Sequence, residues 1–170
     1  MAAGNGTGMK FFLIDRAIEV ERGKRIVAVK TLSLAEEYLQ DHFPSFPVLP
    51  GVLMIEAMIQ AGAWLCRVTT DFAHSMVVLD EARNAKYGAF FRPGTSMQVA
   101  VDCLKQDAGL WTFKGAGTVG DQVTVQGRFT LRAFNLADTG AATAETDRRI
   151  IEAMRRHWAL IAPRGAETRQ

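Results

Sequence analysis

Cysteine is scarce in this chain, with two in 170 residues, and that excludes a disulfide framework. Cys66 and Cys103 both fall in apolar periodic stretches and read as small core residues in a reducing compartment. No cluster of His and Cys at metal-ligand spacing is present, and no Gly-rich phosphate loop or nucleophile–base–acid set. Charge of one sign is scarce as well. The net charge is +2, with residues 1–146 at 14 basic against 15 acidic and residues 147–170 at 6 against 3. So small an excess, without basic–aromatic interleaving, excludes a nucleic-acid footprint. Residues 1–8 are rich in Gly and Ala and lack the apolar run of a signal peptide, so the cytoplasm is the expected location. The longest apolar stretch, residues 48–66, is interrupted by Pro50, Glu56 and Gln60, which argues against a membrane span. No internal repeat is present.

What is there is an ordinary globular composition, 48% hydrophobic and 22% charged, in a length that suits one domain with a sizeable core. The chain is organised around residues 41–66, DHFPSFPVLPGVLMIEAMIQAGAWLC. Pro50-Gly51 marks a helix entry, and the proline-free, apolar residues 52–68 predict a helix buried nearly all round. Glu56 is the one carboxylate on it. No Lys or Arg lies within four residues, so it needs a remote partner, a hydrogen bond or a proton. A structural Glu that caps a buried backbone group is the plain alternative.

His42 precedes Glu56 by fourteen positions, in a loop punctuated by Pro44, Pro47 and Pro50. Those rings fix φ and bias the residues before them to extended geometry, so the loop is stiff enough to hold an imidazole in place. A rigid loop His feeding a buried helix with one Glu suggests an acid/base pair. Gly51 adds unsatisfied N–H groups at a helix start, where a substrate oxygen can approach the main chain, although Pro-Gly also simply makes a turn. Gln60 lies one turn beyond Glu56 on the same face and either orients it or serves helix packing.

Around this centre, residues 17–21 and 25–31 read as a hairpin about Gly23, and residues 33–40 as a short helix. Residues 75–80 read as a strand and residues 84–91 as less regular. Residues 96–105, 110–119 and 122–134 form a strand meander, the whole giving an α+β domain with a helix wrapped by a curved antiparallel sheet. Residues 135–146 are a small-residue linker. In residues 147–161, Ile150, Ile151, Met154, Trp158 and Ile161 share one face of a second helix, with arginines around it. That helix packs on its own domain, on a neighbouring subunit, or presents a basic dock to an acidic carrier.

The segment HFPSFPVLPGVLMIEAMIQAG resembles the signature of the β-hydroxyacyl-acyl-carrier-protein dehydratases of fatty-acid synthesis, a hotdog-fold family, in the branch that uses Glu. Residues 11–17, 23–30 and 104–119 are similar to the family's opening strand and turn, first hairpin and late hairpin. The resemblance implies a hotdog domain over residues 1–134, followed by the linker and a C-terminal helical extension over residues 147–170. It implies His42 and Glu56 as the catalytic pair, Gly51 N–H as the carbonyl-binding donor, Gln60 in support, and Phe43, Pro44, Ser45 and Pro50 in the substrate loop. It implies a homodimer in which one site draws His and Glu from two subunits, acyl carrier protein as partner, no metal and no cofactor beyond the phosphopantetheine that arrives with the substrate.

Three features depart from the family pattern. Ser45 replaces the usual glycine beside the base. Gly88, Phe90 and Thr95 replace the usual basic residue, proline and aspartate in a stretch that helps shape the acyl tunnel. The C-terminal extension is the third, and together they suit a specialised lipid or polyketide pathway as well as a primary one. The rival readings are a hotdog thioesterase with Glu56 as base, and a non-catalytic acyl-binding paralogue.

Overall fold

The structure, a computed structural model, describes residues 11–164, so the Gly- and Ala-rich start and residues 165–170 lie outside it. Six strands, β1 (Arg16–Glu21), β2 (Arg25–Thr31), β3 (Met76–Tyr87), β4 (Ser96–Asp107), β5 (Leu110–Val119) and β6 (Gln122–Phe134), pair antiparallel in the order β1-β2-β4-β5-β6-β3. The tight turns use positive φ, at Gly23 (74°), Gly109 (81°) and Gly120 (56°), where glycine tolerates it, and at Ala108 (46°).

Alternation along β4–β6 puts Met97, Val99, Val101, Phe113, Phe129 and Leu131 on one face, each at most 3% exposed. Full burial of each such side chain contributes roughly 1.5–3 kcal/mol. That face wraps the central helix α2 (Gly51–Thr69). By length and composition α2 could cross a membrane, but it is the core helix of this sheet. It lies close to the strands because Gly62 has no side chain: a Cβ there would fall 2.9 Å from Phe129 Cε2.

Three local expectations need correction. Residues 33–37 are not helical; only α1 (Tyr38–Asp41) is, because Ser33 turns the chain by accepting the Ala35 N–H at its hydroxyl and the Glu36 N–H at its carbonyl. Strand β3 does not end at Asp80 but runs through the supposedly irregular segment to Tyr87. Register shifts between Leu79 and Glu81 and between Arg83 and Lys86, with Asn84 at φ 54°, break the alternation that would have revealed it. Pairing even continues past Tyr87, through Gly88 N–H to Thr124 O and Ala89 N–H to Val123 O. Finally, α2 is not buried all round. Its second half is, but Val52 is 67% exposed and Leu53, Ile55, Glu56 and Gln60 are half-buried.

The C-terminal helix α3 (Ala144–Ile161) starts earlier than its apolar pattern, capped by Thr143, whose Oγ accepts the Thr146 N–H. It packs on its own chain. His157 stacks between Phe12, at 3.8 Å, and Trp64, at 5.5 Å, and Trp158 lies 5.6 Å from Trp64. Arg155 bonds to the backbone and side chain of Asp71 and lies over Phe72. Arg148 and Arg149 pair with Glu145, and Arg156 with Glu152.

Buried Asp147 is the anchor, accepting from Ser75 Oγ and from the N–H groups of Leu136 and Ala137, both at 3.0 Å. The Ser75 donor, aided by the two N–H groups and opposed by burial, holds its carboxyl below the ordinary value of 3.8. A carboxyl depressed in the fold stabilises it above the unfolded pKa, and the contribution fades as pH falls through the folded value. Asp147→Asn is therefore expected to lower the melting temperature at pH 7. The gap to the parent protein should close in melts run below the ordinary Asp range.

Candidate active site

His42 ends α1 with φ −119° and ψ 102°, half-buried, its ring 4.5 Å from that of Phe43. The chain then reverses through Pro44-Ser45, closed by the Phe46 N–H on Phe43 O at 2.8 Å. Phe43, Pro44, Ser45 and Phe46 are all exposed. The segment rejoins the core at buried Val48 and Leu49, where the Leu49 N–H donates to Phe91 O at 2.8 Å. A turn inside the loop and one hydrogen bond to the segment after β3, at Leu49, hold its downstream half.

Pro50 caps α2 with φ −53° and Gly51 is its first residue. The first turn has neither a side-chain cap nor an acidic residue, so the helix supplies no carboxylate of its own to the positive end of its dipole. Gly51 is there for space as well as for the turn. The Tyr87 ring of β3 lies so close that a Cβ at residue 51 would fall 2.7 Å from Cε1. Tyr87, 54% exposed, escaped sequence reasoning because the β3 bulge hid the strand that carries it.

Glu56 is half-buried on α2 and makes no ion pair among the described residues; its Oε1 accepts from Gln60 Nε2 at 3.0 Å. Gln60 also donates to Phe11 O at 3.0 Å and accepts the Leu13 N–H at 2.8 Å. Orientation and packing are thus not alternatives: the bonds that dock the residue 11–13 segment on α2 also fix the amide that holds Glu56. Within one chain no hydrogen bond links His42 to Glu56 among the described residues. The structure brings Glu56 and Gln60 together, and places His42 and Gly51 at the two ends of one loop.

The departures have physical readings. Gly88 cannot carry a side chain here, since a Cβ would fall 2.2 Å from the Val123 carbonyl oxygen. Phe90, 64% exposed, meets Phe46 edge-on at 5.3 Å, and Arg92 lies 5.1 Å above the Phe46 ring. Thr95 bonds through its hydroxyl to Arg92 O, and its carbonyl accepts the Leu32 N–H. The segment after β3 thus leans on the His42 loop through aromatic contacts. Nothing in the structure explains Ser45 in place of glycine. Cys66 is buried, which pushes its thiol far up, and it is no nucleophile.

Residues 7–128 match the family model described as FabA-like domain. The chain is 38% identical over 138 residues to the 3-hydroxyacyl-acyl-carrier-protein dehydratase FabZ of Symbiobacterium thermophilum, covering 81% of this chain and 94% of that protein. It is 41% identical over 121 residues to the FabZ of Magnetococcus marinus, covering 68% and 77%. Among solved structures, the dehydratase heterocomplex ApeI:P of Xenorhabdus doucetiae superposes with a TM-score of 0.60 at 23% identity, over 72% of this chain and 82% of that one. A Streptococcus mutans protein bound to acetyl CoA follows at 0.56 and 12%, over 76% and 96%. These two likenesses establish the fold, a hotdog, with α3 beyond the span of the family model.

Gln60→Ala is expected to cost about 1–3 kcal/mol, because the Leu13 N–H loses its acceptor. The denaturant midpoint measures it.

Proposed function

The chain belongs to the FabA-like domain family, and from that premise we propose that it dehydrates 3-hydroxyacyl thioesters on acyl carrier protein to trans-2-enoyl thioesters. It is a hydro-lyase of fatty-acid or related lipid synthesis, working in the cytoplasm. The observation that carries the reading is Glu56: a half-buried acid without a cationic partner among the described residues, oriented by Gln60, on the first turns of a helix whose start has no side-chain cap.

In the proposed reaction the thioester carbonyl oxygen accepts the Gly51 N–H, where the helix dipole stabilises the negative charge that builds as the α-proton leaves. His42 takes that proton. The electron pair forms the α,β double bond, the β C–O bond breaks, and Glu56 gives its proton to the departing hydroxyl, which leaves as water. Phe43, Pro44, Ser45 and Pro50 shape the mouth, and Tyr87 and the Phe46–Phe90 contact border it. Neither metal nor organic cofactor enters these steps; the phosphopantetheine comes with the carrier.

We assign residues 1–134 to the catalytic unit, the residues from 135 to the start of α3 to a linker, and α3 with the residues after it to an extension. A homodimer supplies the pairing that one chain lacks, with His42 of one subunit meeting Glu56 of the other. Two features support it. β3 is a twelve-residue edge strand, a row of backbone groups that invites another strand. Near it, exposed Val52 and half-buried Ile55 present apolar surface of α2, next to Glu56, that the described residues leave partly open.

His42→Ala and Glu56→Gln are each expected to lower the hydration rate of a crotonyl thioester by about 100-fold or more, with the far-UV spectrum and melting temperature retained. Release of free thiol from hydroxyacyl or enoyl thioesters would instead identify a thioesterase. Near-normal hydration by either variant would remove its residue from the mechanism.

A further inference from the structure

Lys30 lies on β2 with 4% of its surface exposed, on the same inward face as Ile26 and Ala28. A buried ammonium is costly unless it is paired and hydrogen-bonded. Its Nζ donates to Glu36 Oε1 at 2.7 Å. The same carboxylate accepts the Ser33 N–H at 3.2 Å and the Tyr38 hydroxyl. Burial works to raise the Glu36 carboxyl, but the Lys30, Tyr38 and Ser33 donors outweigh it and hold the acid below its ordinary value. Burial, and donation to Glu36, push the Tyr38 phenol far up. Glu36 therefore stays a carboxylate and Tyr38 a phenol throughout the neutral range.

What this cluster holds is α1, four residues long and far too short to stand alone in water. Its first turn bonds back to Glu36, through the Leu39 N–H on Glu36 O at 3.1 Å, and Leu39 is 2% exposed. His42 is the residue that ends α1. One position on, Phe43 sits at φ 50°. A bulky residue in the left-handed region costs about 1–3 kcal/mol and keeps that conformation only where the chain is held on both sides. Downstream the hold is the Phe46–Phe43 turn and the Leu49–Phe91 bond. Upstream it is Glu36.

We infer that Lys30, Glu36 and Tyr38 are positioning residues for His42, a buried charged strut between β2 and the short helix whose end carries the imidazole. The inference rests on His42 being the base proposed above. An apolar cluster of similar volume would stabilise the segment equally well, since replacing a buried ion pair by packed hydrophobic groups is often neutral or stabilising. It would not fix the helix in direction. Three hydrogen bonds on one carboxylate do, and a shift of about 1 Å in a catalytic group can cost about 100-fold in rate.

The double variant Lys30→Met/Glu36→Leu removes both charges at similar volume, and Tyr38→Phe removes only the hydroxyl. The double variant should keep its melting temperature and its KM for a crotonyl thioester, while kcat falls by about 10–100-fold. Tyr38→Phe should lose a smaller share in the same parameter. Of the three histidine ring signals in a proton–nitrogen or proton–carbon spectrum, that of His42 should shift or broaden, and those of His74 and His157 should stay. A folded double variant with parental kcat and an unmoved His42 signal overturns the inference. Should the double variant fail to fold, Tyr38→Phe decides by the same two readouts. The His42→Ala control separates the two levels: turnover in that variant sinks the base assignment, while the His42 ring signal in the Lys30→Met/Glu36→Leu and Tyr38→Phe variants still reports whether the strut places the loop.

Discussion

An acid on a core helix needs a reason to be there, and the whole architecture turns on how this one is accommodated. The curved sheet closes fully over the second half of α2, where Ala57, Ala61 and Leu65 have no exposure, and leaves the first half partly open. Glu56 lies at that boundary. It is deep enough to be held in one orientation by Gln60 and shallow enough to meet something that comes from outside. A fully wrapped helix would have demanded a counter-ion, a full set of hydrogen bonds or a proton for it; a fully exposed one would have given it no orientation. Lys30, a charge that is buried, shows the contrast, since it has its counter-ion in Glu36, whose carboxylate accepts two further donors.

The open end of α2 gathers several features into one region. The uncapped helix start, the proline-held loop, the end of β3 with Tyr87, and the Phe46–Phe90–Arg92 cluster all converge there. Each uses the backbone tightly. Gly51 leaves room for the Tyr87 ring and Gly88 for the Val123 carbonyl, so both positions are set by sterics irrespective of chemistry. Of the family departures in this stretch, Gly88 is therefore a structural necessity of this chain's strand pairing. Phe90 instead adds exposed aromatic surface at the mouth.

The motif through residue 62 made most of the site legible. Proline spacing marked the loop, and the isolated acid on an apolar run marked Glu56. The meander was legible because β4, β5 and β6 alternate over much of their length between clear turn signals; β5 and β6 end where the pattern ends, and β4 runs two residues further. The far half of β3 was not, since two register shifts scramble its period, and Tyr87 was lost with it. The strut was missed for a different reason. A lysine at a strand end reads as solvent-facing, yet Ile26, Ala28 and Lys30 fall on one face, and that placement was the available signal. α3 was visible as an amphipathic stretch, but its destination depends on Asp147 reaching Ser75 and on His157 sliding between Phe12 and Trp64. No periodicity encodes contacts over such separations.

The aromatic stack under α3 makes the molecule its own optical probe. Two of its three tryptophans, Trp64 and Trp158, meet at a tilt across the α2–α3 seam, with an imidazole between Trp64 and Phe12; the third, Trp111, lies in the sheet beside Phe113. Emission from the first two depends on the seam staying closed, whereas Trp111 senses the sheet alone. Detachment of the tail and melting of the sheet therefore carry different spectral colours, and no label is required to tell them apart.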